Sequence, residues 1–174
     1  PGRHTAGGIG FNEGFELVLP FKHKESGTKI PRYEYHGKAH WQLLSVAGQE
    51  ILNSTGMCLF STNIWPNSYP YLELIKAITG WDLTEDDLVE IGWRIQMARH
   101  IFNAKQGINQ YEIKPPGRVM GYPPLKAGPT AGVSVDYETL RNEYLSEIGL
   151  SRDGRPSPDV LKKLDIDPEI AVGI

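Results

Sequence analysis

The stretch Thr84-Glu85-Asp86-Asp87-Leu88-Val89-Glu90-Ile91-Gly92-Trp93-Arg94-Ile95-Gln96-Met97-Ala98-Arg99-His100-Ile101-Phe102 decides the fold class. Thr84 followed three residues on by Asp87 is a variant of the capping box, in which each side chain serves the other residue's backbone amide. Glu85 and Asp86 place negative charge near the positive end of the helix dipole. Leu88, Ile91, Ile95, Ala98 and Phe102 then recur at three- and four-residue steps, the spacing of one helix face. Gly107 supplies the stop.

Working outward, similar patterns flank this helix. Towards the N-terminus, Trp41, Leu44, Ala47, Ile51 and Leu52 share a face of a helix starting near Lys38 and stopping at Gly56. Ser68 to Thr79 reads as another, with Pro70 at its start, Gly80 just past its end, and Leu74, Ile75 and Ile78 as its apolar face. Towards the C-terminus, Asp136 to Ile148 carries Leu140, Tyr144 and Ile148 on one side. A last helix opens at Ser157-Pro158-Asp159, with Val160, Leu161 and Leu164 as its apolar side. Phe15, Leu17, Val18 and Leu19 make a run too short for periodicity to tell strand from helical turn. The expectation is an all-α chain, mainly helical, with long irregular Gly/Pro-rich segments. It divides into an entry segment at 1–35, a helical core at 36–107, a Pro/Gly-rich loop at 108–132 and terminal helices at 133–174, all in one domain spanning 1–174. Irregular stretches of that length imply a neighbour to pack against.

The composition excludes several function classes. The 174 residues are 40% apolar and 22% charged, with a net charge of -3. That gives no electrostatic basis for a nucleic-acid or anionic-membrane partner. No apolar run is long enough to span a bilayer, and no secretory signal pattern opens the chain. Pro1 in the first position fits either a trimmed start or a segment from inside a longer protein. The one cysteine, Cys58, excludes an internal disulfide, and a reduced, cytoplasmic setting is the default.

Few residues carry chemistry. A lone cysteine between apolar residues is usually a small buried hydrophobe, whereas a thiolate ligand to iron would need about three more from elsewhere. His36 and His40, spaced i, i+4, would present two imidazoles to one metal if both lay on a helix, although Gly37 lies between them and no carboxylate partner is evident. His100 reads as a boundary histidine. His4, in a glycine-rich stretch, reads either as a solvated loop residue or as an active-site imidazole. Gly7-Gly8-Ile9-Gly10 has the wrong spacing for a dinucleotide fingerprint. No phosphate loop, nucleophile elbow or zinc-protease helix is present.

An ordered series of short motifs resembles the aldehyde ferredoxin oxidoreductase family. Asn53-Ser54-Thr55-Gly56-Met57-Cys58-Leu59-Phe60 is similar to that family's Asp-x-x-Gly-Leu-Cys-x-Phe. Glu73-Leu74, Ala77-Ile78-Thr79-Gly80, Gly92-Trp93-Arg94-Ile95, Phe102-Asn103-Ala104-Lys105-Gln106-Gly107 and Pro115-Pro116-Gly117-Arg118 follow in the family's order. Tyr144-Leu145 and Gly154-Arg155-Pro156-Ser157, then Leu161 and Leu164, complete the series. Trp93, Lys105 and Gln106 depart from the pattern and read as helix-surface changes.

The resemblance implies a helical C-terminal domain of an enzyme that oxidises aldehydes to carboxylates with ferredoxin as electron acceptor. It implies a tungsten (or molybdenum) bis-pterin and a 4Fe–4S cluster. Cys58 would be the cluster's fourth ligand, the other three lying outside this chain, in the N-terminal remainder of the enzyme. Asn53, Gly56 and Met57 would contact the cofactor. Asn53 replaces the family's aspartate, so the contact loses its negative charge while an amide still donates and accepts. His4, in Arg3-His4-Thr5, would hydrogen-bond the aldehyde oxygen or move a proton. A benzoyl-CoA reductase-type subunit of the same family, or a non-catalytic helical interaction module, are the alternatives.

Overall fold

The computed structural model describes residues 14–58 and 70–174. It is mainly helical, and among the described residues the only β-pairing is isolated bridges. Among the described residues the α-helices are α1 (Ala39–Thr55), α2 (Tyr71–Thr79), α3 (Glu85–Lys105), α4 (Tyr137–Glu147) and α5 (Pro158–Lys163), followed by a 3₁₀ turn at Pro168–Ala171.

The termini obey the local chemistry. Thr84 Oγ accepts from the Asp87 amide at 3.2 Å, and Asp87 Oδ2 accepts from the Thr84 amide at 2.7 Å, so the capping box closes in both directions. Asp136 and Ser157 cap α4 and α5 in the same way through the amides of Thr139 and Val160. The short run at Phe15–Leu19 is extended: Leu17 N–H donates to the Thr28 carbonyl, Ile30 N–H to that of Phe15, and Leu17 and Leu19 point into the core.

α3 is the spine. α1 crosses it so closely that a Cβ on Gly92 would lie 2.1 Å from the Ala47 carbonyl oxygen, so the crossing needs glycine. Three apolar clusters surround this crossing. One joins Leu43 to Trp93, Met97, Ile101, Leu145, Ile148 and Leu164. A second gathers Leu17, Leu19, Ile30 and Leu44. A third holds Phe21, Ile51, Leu52, Tyr71 and Leu88 at the C-terminal end of α1.

Three expectations about faces change. On α3 the fully buried positions are Leu88, Gly92, Trp93, Met97 and Ile101, while Ala98 and Phe102 are exposed. α3 packs on two sides, with Ile91 and Ile95 half-buried against the third cluster, so a single apolar stripe describes it poorly. Trp93 is a core residue and not a surface change: its indole N–H donates to the Ile148 carbonyl at 3.3 Å, and Lys163 Nζ stands 4.5 Å above the ring. On α2 it is Tyr71, with Leu72 and Ile75, that faces the core, leaving Leu74 and Ile78 in solvent.

Candidate functional site at the C-terminal end of α1

The last turn of α1 is pinned from below and open above. Leu52 is buried, and its carbonyl accepts the amides of both Gly56 and Met57. Gly56 adopts φ 73°, the left-handed conformation that ends the helix and turns the chain outward. Thr55 Oγ donates to the Ile51 carbonyl at 2.8 Å and also meets the hydroxyl of the buried Tyr71. Met57 is half-buried against the third cluster and acts as an anchor. Asn53, Gly56 and Cys58 are all exposed, and Asn53 Oδ1 accepts from Gln49 Nε2 at 3.3 Å.

This geometry overturns the buried-hydrophobe reading of Cys58. Burial goes to Met57 instead, because the left-handed turn at Gly56 swings the next residue onto the cluster and the one after it away. Of the residues singled out in the sequence, Asn53, Gly56, Met57 and Cys58 come together here, and His4 lies outside the described residues. Among the described residues, no three His, Cys, Asp or Glu side chains converge as a metal site. The donor set therefore suits one corner of a cluster: a single exposed thiol that a group held from outside can reach.

The histidine pair does not form a metal site. α1 begins at Ala39, so His36 precedes the helix and the i, i+4 geometry never arises. Each imidazole instead meets a glutamate of α4, His36 Nδ1 to Glu143 at 2.6 Å and His40 Nδ1 to Glu147 at 3.3 Å. Glu143 also accepts from the Gly37 amide, and these bonds hold its carboxyl below the usual range.

Sequence reasoning missed Glu50. Its side chain is 3% exposed one turn before Asn53, and it accepts from Arg99 Nη1 at 2.6 Å. Burial raises its pKa, and Arg99 works against that. The available signal was its place on the apolar side of α1, three residues after Ala47.

The described residues thus form a mainly helical chain that displays one exposed thiol, Cys58, just past a capped helix end. The sequence model for aldehyde ferredoxin oxidoreductase, domains 2 & 3, matches residues 3–166. The chain belongs to the aldehyde ferredoxin oxidoreductase family. The tungsten-containing aldehyde ferredoxin oxidoreductase of Pyrococcus furiosus is 30% identical over 116 residues, 67% of this chain and 19% of that protein. The proteins of the same name from Pyrococcus horikoshii and Thermococcus kodakarensis are each 28% identical over the same shares. The chain thus spans 19% of the length of these curated relatives. No solved structure matches it.

Proposed function

We propose that this chain is the C-terminal part of a tungsten-pterin, iron–sulfur oxidoreductase acting on aldehydes, and that Cys58 supplies one thiolate to its 4Fe–4S cluster. The observation that carries the reading is the exposed Cys58 just past the left-handed Gly56 turn that ends α1. Held by Asn53, Gly56 and Met57 on this side, a tungsten-pterin centre would supply two-electron chemistry for aldehyde oxidation, and a cluster ligated by Cys58 would supply a one-electron outlet towards ferredoxin.

The chain's own residues hold and position. Gly56 sets the direction of the turn, Met57 fixes it to the core, and Cys58 presents sulfur outward. Asn53 offers an amide edge for a pterin contact. His4 would donate a hydrogen bond to the aldehyde oxygen or move a proton. Alone, the chain is catalytically incomplete, and the remaining cluster thiolates come from the rest of the enzyme. A reducing, cytoplasmic setting goes with this reading.

The test is co-expression of the chain with family polypeptide carrying three closely spaced cysteines. The isolated chain is expected to be colourless, without iron or aldehyde oxidation. The complex is expected to hold about four irons per cluster, and Cys58→Ala to lose most of them without unfolding. A full iron complement in the Cys58→Ala complex would falsify the assignment.

A further inference from the structure

A cavity of about 370 Å³ lies between the start of α1, the C-terminal half of α3 and α4. Its size is that of small-molecule sites, and its walls are mostly apolar with a few polar groups. Tyr35, Tyr137 and Tyr144 provide aromatic wall, Leu140 and Ile113 aliphatic wall, and Arg141 and His100 the polar points. Because Ala39 also lines it, the cavity sits at the opposite end of α1 from Cys58, about 25 Å away at 1.5 Å per helical residue. It is therefore separate from the cluster turn and does not depend on that reading.

Arg141 is poorly compensated. Its Nε and Nη2 donate only to the neutral side-chain oxygen of Asn142, at 3.2 and 3.1 Å. Its guanidinium carbon lies 5.9 and 5.7 Å from the ring centroids of Tyr111 and Tyr137. Nη1 is buried with no acceptor. Glu143 also lines the cavity, with one oxygen bonded to His36 and the other accepting from the Gly37 amide. Lys38, also lining the cavity, adds a second cation, its Nζ donating to the Arg32 carbonyl at 3.3 Å.

His100 repeats the pattern. The Gln96 amide nitrogen faces His100 Nε2 at 3.4 Å, and the buried Nδ1 has no hydrogen-bond partner; with Gln96 as the donor, the ring proton falls to Nδ1. The Arg141 Nη1–H group, and His100 Nδ1 when it carries the ring proton, lack acceptors in an aromatic-walled cavity with two cations and one carboxylate, a desolvation cost that an anionic acceptor removes.

We propose that this cavity binds a small organic carboxylate with a flat apolar body, the carboxylate received by Arg141 and the His100 Nδ1–H. The experiment titrates the full 174-residue chain, ¹⁵N-labelled, with benzoate and, in parallel, with uncharged benzyl alcohol. Benzoate is expected to give saturable shifts at the amides of Gln42, His100 and Tyr144 and to bind at least about tenfold more tightly than the alcohol, the lower range for a charge-assisted pair. Arg141→Gln is expected to weaken benzoate about tenfold and leave the alcohol unchanged. Ile113→Trp, at a wall residue 47% exposed, fills the cavity without touching the core and should abolish binding of both. No saturation by benzoate, equal affinity for the alcohol, or undiminished binding by Ile113→Trp overturns the proposal.

Discussion

Replacing Gly92 by alanine tests the α1–α3 crossing on which the position of Cys58 depends. The added methyl carbon would stand 2.1 Å from the Ala47 carbonyl oxygen, 2.6 Å from its carbon and 2.8 Å from its Cα. Ordinary contact between such atoms begins near 3.5 Å, so the helices must part by more than about 1 Å. All three obstructing atoms are backbone, so no rotamer change relieves them. Overpacking of this kind costs about 1–3 kcal/mol or more, and a backbone clash belongs at the upper end. Alanine recovers about 1 kcal/mol through its better helix propensity. The net loss is then about 2 kcal/mol, which lowers Tm by roughly 4–8 °C in a chain of this length. Thermal unfolding followed by circular dichroism measures it. The sign is decisive: an exposed glycine at this position would make the substitution stabilising by about 1 kcal/mol. An unchanged or raised Tm would refute the close crossing.

The other predictions address the core, the thiol and acid stability. Trp93→Ala is expected to cost about 3–5 kcal/mol in urea unfolding, and Trp93→Phe, which keeps one aromatic ring but loses the pyrrole half and its bond to Ile148, about 1 kcal/mol or more; no loss of stability in Trp93→Phe would contradict the hydrogen bond. Cys58→Ser in the chain alone should change stability by no more than about 0.5 kcal/mol, and Cys58 should react fully with an aromatic disulfide reagent under native conditions; a thiol that reacts only after denaturation would show it to be covered. Burial pushes the His100 pKa from 6.5 down to about 4, so the unfolded chain takes the proton first. Stability from this group is whole above pH 6.5 and drains away as pH falls towards 4. His100→Gln should flatten that part of the acid profile, and an NMR titration of the His100 ring with a midpoint near 6.5 would sink the argument.

The helices were legible because their signals are local. The Thr84–Asp87 box, the Asp136 and Ser157 caps and the stops at Gly56 and Gly80 each act within one turn, and each forms as the residue types require. The faces were less legible, because a helix with neighbours on two sides has no single stripe. In α3, Trp93 and Met97 turn to one cluster while Ile91 and Ile95 lean on another, so the sum over the helix nearly cancels. Gly92 between them gave no periodic signal, since its role is set by a helix 45 residues away in sequence. The His36–Glu143 and His40–Glu147 contacts have the same origin: their sequence separation is 107 residues, and only the packing of α4 beside α1 creates them.

The site was legible in composition and not in exposure. A single cysteine after a glycine stop says where sulfur will be in the chain, but whether it faces in or out depends on which of two successive residues the left-handed turn directs to the core. Met57 and Cys58 are both apolar enough to be buried. What separates them is the shape of the cluster beneath, where Tyr71 comes from α2 and Leu88 from α3, and the long thioether fills what those two leave. The exposed thiol is thus a consequence of long-range packing. If Met57→Ala removes the anchor, Cys58 is free to turn inward into the space vacated, and native thiol reactivity should fall even though Cys58 itself is untouched. Unaltered reactivity in Met57→Ala would mean that the Gly56 turn alone sets the direction of the sulfur.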